Sequence, residues 1–202
     1  AIPYKMIPFL ITCVAIELTP GPNMAYLTLL SSLHGKKAGF LMVLGIASGL
    51  FVVGLLCALG AATLLQEHPY FYQLLRWTGV AYMLWLAYDC WKDSSKTSDV
   101  SAPEKNHFLR GFVTNILNPK AAVFYMSVLP SFSKTPDFSS ILTLTISYVC
   151  VATLVHGPLV VLADTAAHRL SNPAIKKRLA QIFSILLIII AIWLAYHTRG
   201  SL

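Results

Sequence analysis

The sequence predicts an all-α polytopic membrane protein: six transmembrane helices forming two inverted three-helix repeats, with helices 1 and 4 broken in mid-membrane. Three observations carry this. Only 11% of the 202 residues are charged and 56% are apolar, whereas about 25% of an ordinary soluble chain is charged. The charges fall in clusters; residues 40–65 contain no Asp, Glu, Lys, Arg or His, and a bilayer-spanning helix needs roughly 20 apolar residues. Two of the apolar runs are interrupted near their middles by proline beside a charged or amide side chain.

In order, the runs are 6–33, 40–65, 71–88, 111–130, 138–163 and 179–196. The first opens like a secretory signal, but no small-residue cleavage site follows, and Glu17, Thr19 and Pro20 interrupt it, so it reads as a membrane helix. The second is uncharged throughout. The third contains Arg76, whose long side chain can snorkel to an interface. Residues 91–107 form the markedly polar linker, with Pro103 stopping any helical continuation. They divide a single membrane domain, 1–202, into repeat one at 1–90 and repeat two at 108–202. The fourth run is broken by proline, the fifth carries His156, Gly157 and Pro158, and the sixth runs apolar to Tyr196.

Orientation follows from the cations. Ten of the 15 lie after runs one, three and five: Lys36 and Lys37; Lys92, Lys96, Lys105 and Arg110; Arg169, Lys176, Lys177 and Arg178. Lys5, Arg76, Lys134 and Arg199 fall on the other side. The positive-inside rule places the three odd loops in the cytoplasm and both termini outside. The same grouping accounts for the net charge of +7 as membrane-flanking cations, so no nucleic-acid partner is expected. Three spans per half is odd, so the second half enters the membrane in the opposite sense, a recurring transporter construction with its site at midplane where helices are discontinuous. Cys13, Cys57, Cys90 and Cys150 form no redox or zinc motif; neither disulfide nor metal nor cofactor is expected.

The two interruptions locate that site. Run one holds Glu17, Thr19, Pro20, Gly21, Pro22 and Asn23; two prolines flanking a glycine break a helix. Run four holds Asn115, Asn118, Pro119 and Lys120, where Asn118 can cap a new helix whose first residue is Pro119; Asn23 is a similar cap candidate. Glu17 lies 12 residues after Lys5 and Lys120 lies 10 after Arg110, so each sits on the order of 15 Å from an interface at 1.5 Å per residue. Ionised groups that deep are paired or hydrated and mark pathways or proton relays. Opposite signs at one depth suit a zwitterion, Glu17 facing an ammonium and Lys120 or the half-helix N-termini a carboxylate. The plainer alternative is that the two charges only staple the halves together.

These motifs resemble the LysE/RhtB family of amino-acid exporters. Thr19, Pro20, Gly21, Pro22 and Asn23 match its first-helix signature, Gly35, Gly39, Gly45 and Gly49 its glycine-spaced second helix, and Gly111, Asn115, Asn118, Pro119 and Lys120 with Pro130 its mid-chain block. The resemblance covers essentially the whole chain and looks closer to the neutral, homoserine-threonine branch. It implies proton-driven efflux of amino acids or close derivatives across a bacterial inner membrane.

Gly35 with Gly39, and Gly45 with Gly49, are pairs four residues apart, a spacing that lets helices approach closely in lipid. His156 and Asp164, eight apart, lie two turns apart on a similar face as a candidate proton relay; the alternatives are an interfacial Asp164 and a His156 satisfied by a carbonyl. Tyr26 and Tyr125, soon after the breaks, either line a cavity or fill space. The combined reading is a proton-coupled exporter of small neutral amino acids working by alternating access, with Thr19, Asn23, Asn115 and Asn118 as polar contacts. Its partners are the amino-acid substrate, protons and the lipid bilayer, with room for a homo-oligomer. The runner-up, a metal or inorganic-ion exporter, needs several carboxylates, His or Cys at one depth. An enzyme is not expected, since neither a Gly-x-Ser-x-Gly elbow nor a His-Glu-x-x-His motif occurs.

Overall fold

A computed structural model describes residues 6–19, 21–60, 67–93, 104–133, 137–169 and 173–197, and among them there is no strand. Helix α1 is Met6–Leu18. It buries Phe9, Cys13 and Glu17 at four-residue spacing while Ile7, Ile11, Val14 and Leu18 face outward. The Thr19 hydroxyl bonds back to the Ala15 carbonyl at 2.8 Å as the helix ends. Pro20 lies outside the described residues.

Helix α2, Pro22–Ala58, starts with proline in its first turn behind an extended Gly21. Asn23, expected as a cap, does not cap it: its place inside the first turn turns the side chain away toward Asn115. At Gly35 the backbone takes φ 83° and ψ 174°, a region open essentially to glycine alone, and the helix changes direction in a single residue. The loop expected between runs one and two therefore reduces to this kink, and Lys36 and Lys37 stand on helical backbone. Gly35 serves conformation, where helix packing was expected.

Helix α3 is Pro69–Asp93 and α4 is Glu104–Ile116, so helix extends into both ends of the segment read as linker. After a turn at 117–118, α5 spans Pro119–Val123, with Asn118 Oδ1 accepting from the Lys120 N–H at 3.1 Å. A π-helical turn, Phe124–Val128, and a 3-10 turn, Leu129–Phe132, continue it. Pro130 causes this change: lacking an N–H, it cannot bond the Met126 carbonyl, and the ladder shifts so that the Leu129 N–H reaches Phe124 O. Asp137 precedes α6, Phe138–Arg169; the Ser140 hydroxyl holds its carboxyl below the usual carboxylate range. Helix α7 is Pro173–His197.

The kinked α2 is the hub. It packs against α6 and α4, while α1 packs on α6 and α3 on α7. The α2–α4 seam is close because Gly45 and Gly111 carry no side chain: a Cβ at Gly45 would strike the Phe108 carbonyl and the Phe112 N–H, and one at Gly111 the Met42 carbonyl. A Cβ at Gly49 would lie 3.0 Å from Asn115. Ser184 of α7 donates to Ala87 O of α3 at 2.6 Å. Large apolar side chains including Ile7, Leu84, Leu154, Ile189 and Trp193 cover the outside. Pro22–Ala58 and Phe138–Ala167 are long and apolar enough to cross a membrane; Met6–Leu18 and Ala180–Trp193 are shorter apolar helices.

Candidate functional site

Where α1 stops and α2 begins, and where α4 stops and α5 begins, the chain ends face one another across a small polar cavity. Glu17, Gly21, Asn23, Asn115, Asn118 and Lys120 come from the two interruptions, and Tyr148 and His156 from α6; Met24 and Ala121 complete the lining.

Glu17 is 6% exposed. Its Oε1 accepts a hydrogen bond from the Tyr148 hydroxyl. His156 Nε2 stands 3.2 Å from Oε2, near enough to form an ion pair when protonated but off hydrogen-bond geometry. A buried carboxylate is tolerated only when so surrounded. Lys120 turns elsewhere: its ammonium donates to the Ile16 carbonyl and, at 3.0 Å, to the Thr19 carbonyl. It thus holds the negative end of the α1 dipole from the far side of the cavity. Asn23 Nδ2 donates to Asn115 Oδ1 at 2.9 Å, joining the first turn of α2 to the last turn of α4. Phe124, Tyr125 and Tyr148 pack beneath, with the Phe124 and Tyr148 ring centroids 4.1 Å apart.

Seven of the residues singled out in the sequence meet here: Glu17, Gly21, Asn23, Asn115, Asn118, Lys120 and His156. Thr19 contributes its carbonyl while its side chain is exposed. Pro22 is buried in the first turn of α2, and Pro119 opens α5. Asp164 is half-buried two turns beyond His156, with Oδ1 3.5 Å from where a Gly35 Cβ would stand, and does not line the cavity. Tyr26 and Tyr125 are buried off the cavity: the Arg110 guanidinium donates to the Tyr26 hydroxyl at 2.6 Å, and the Tyr125 hydroxyl donates to Leu50 O at 2.8 Å. Tyr148 was not singled out. Its signal was present, since Tyr148, Ala152, His156 and Val160 repeat every four residues along the buried stripe of α6. A second polar group lies apart, where Arg110 NH2 stands 2.8 Å from Asp89 Oδ2, tying α4 to α3.

The described residues form an apolar helical bundle around a charge-lined cavity. The chain belongs to the LysE type translocator family, whose pattern it matches over residues 14–198. It is 33% identical over 151 residues to a protein of Klebsiella pneumoniae subsp. pneumoniae named leucine efflux protein, covering 70% of this chain and 71% of that one. It is 25% identical over 193 residues to one of Salmonella typhi named homoserine/homoserine lactone efflux protein, covering 93% and 94%. A leucine efflux protein of Enterobacter sp. is 32% identical over 122 residues, 58% of each chain. No solved structure matches.

Proposed function

We propose that this protein is a secondary active exporter of small neutral amino acids or their close derivatives, driven by protons and working by alternating access in a bacterial inner membrane. The observation that carries the reading is Glu17: a carboxylate buried where α1 ends, on a cavity wall, with Oε2 3.2 Å from His156 Nε2. Such a group can exchange a proton for a substrate ammonium, the elementary step of antiport. Lys120, of opposite sign, lines the same cavity and holds the end of α1 in place. The relatives' names, leucine and homoserine/homoserine lactone efflux, support the substrate class.

The inverted-repeat reading draws support from the packing. In a chain of six spans, α1 with the first run of α2 corresponds to α4 with α5, the second run of α2 to α6, and α3 to α7. Under that correspondence the α1–α6 contact is the counterpart of α4–α2, while α2–α6 and α3–α7 pair elements with their own counterparts. Rocking one half against the other would then expose the cavity to each side in turn. Export of a metal or inorganic ion is not favoured by the relatives' names.

The test is substrate-gradient efflux from proteoliposomes with an imposed pH gradient. The parent protein is expected to move leucine or homoserine faster when protons flow inward. Glu17→Gln, correctly folded, is expected to lose that proton dependence; a Glu17→Gln protein with unchanged coupling would sink the assignment.

A further inference from the structure

Asn23 of α2 and Asn115 of α4 are hydrogen-bonded to each other on the wall of the cavity. Their single hydrogen bond leaves Asn23 Oδ1 and Asn115 Nδ2 without partners, on residues only 8% and 0% exposed. Unpaired buried amide groups are unfavourable, and here both belong to the lining of the cavity. Turning both amides over only exchanges which residue supplies which group: one donor and one acceptor remain.

Of the neighbouring polar groups, His156 Nε2 stands against Glu17 Oε2 without a hydrogen bond, and three others are engaged. Tyr148 donates to Glu17, Asn118 accepts from the Lys120 N–H, and Lys120 uses two of its three donors on the Ile16 and Thr19 carbonyls. A ligand that satisfies the orphaned pair must present an acceptor and a donor close together. An α-amino acyl unit does so, with its carbonyl oxygen and its ammonium on adjoining carbons. We infer that the Asn23–Asn115 amide pair reads this end of the transported molecule, giving its carbonyl oxygen a neutral donor and its ammonium a neutral acceptor. The inference rests on the reading above that the cavity carries amino acids. It has a consequence for specificity. A neutral donor does not demand a carboxylate, so an amide, ester or lactone carbonyl takes the same place, whereas removing the amine abolishes binding.

The test is ligand binding to the full chain in detergent, read as thermal stabilisation or by calorimetry. The probes are leucine and homoserine, the carboxyl-masked leucinamide and homoserine lactone, and 4-methylpentanoate, which lacks the amine. For the parent protein, a masked compound is expected to bind within about tenfold of its acid, and 4-methylpentanoate more than about tenfold more weakly than leucine. Asn115→Asp sets a carboxylate against the substrate's own, and is expected to weaken the acid about tenfold more than the masked compound. A masked compound more than about tenfold weaker than its acid in the parent would mean that a cation reads the carboxylate, overturning the inference while leaving amino-acid export standing. Retained binding of 4-methylpentanoate, or equal losses for both compounds in Asn115→Asp and in Asn23→Asp alike, would overturn it as well. If none of the probes binds the parent, the export reading itself falls. The parent series decides the matter without the variants.

Discussion

Glu17 divides its two oxygens between Tyr148 and His156, both from α6, so one side chain of α1 is positioned by a helix more than a hundred residues away in sequence. Removing the donor alone tests that dependence. Tyr148→Phe leaves the ring packed on Phe124 but takes away the hydroxyl, and is expected to lower stability by about 1–3 kcal/mol, seen as a lower Tm in detergent. Lys120→Met leaves two α1 carbonyls without their donor and is expected to cost about 2–3 kcal/mol. Adding Glu17→Gln is expected to return part of that loss, because the uncompensated charge goes too; strictly additive losses would show that the two charges do not interact. At this scale the sequence was informative: a charge or an amide within an apolar run has few places to go, and Glu17, Lys120, Asn23, Asn115 and Asn118 all reach the cavity. Partner choice was not legible. Nothing local tells that Lys120 turns to backbone carbonyls, or that a tyrosine in an apolar helix is a donor to a carboxylate, since both depend on which helices meet.

Among the elements, α2 carries the two glycines that matter most to shape. Gly35 lies in backbone space that a Cβ forbids, so Gly35→Ala is expected to destabilise by about 1–3 kcal/mol. Gly45→Ala presses against the α4 backbone at Phe108 and Phe112 and is expected to cost about 1–3 kcal/mol by parting the helices. Gly157 offers the control, because a Cβ there meets nothing within 4 Å; Gly157→Ala is expected to keep or slightly raise Tm. Equal losses at all three would mean that generic helix perturbation, and not these contacts, sets the outcome. The helix ends at Leu18 and Ile116 fall beside sequence motifs whose proline acts locally. The kink at Gly35 was not legible: a glycine before two lysines reads equally as a short loop, and only the packing of α2 against α4 and α6 on its two sides decides in favour of a sharp bend.

For the whole molecule, the cation count makes the firmest statement, and it concerns sidedness. With odd loops in the cytoplasm, a cysteine replacing Lys37 is expected to react with an impermeant thiol reagent only from the cytoplasmic side, and one replacing Asp137 only from outside; labelling of both from one side would overturn the topology. Hydrophobic run lengths conveyed an apolar helical chain, but not the helices' spatial neighbours, which close small-residue contacts such as Gly45 against Phe108 select. The engagement of Lys120 with the end of α1 also says something about how such a chain is inherited. The acid at the cavity is encoded before the polar linker and the base after it. A gene joining two copies of the first half would bring two glutamates together with no lysine, and one joining two copies of the second half the reverse. On the proposed two-repeat reading, fragments divided within 94–103 and produced together are expected to assemble as unlike partners, checked by co-purification.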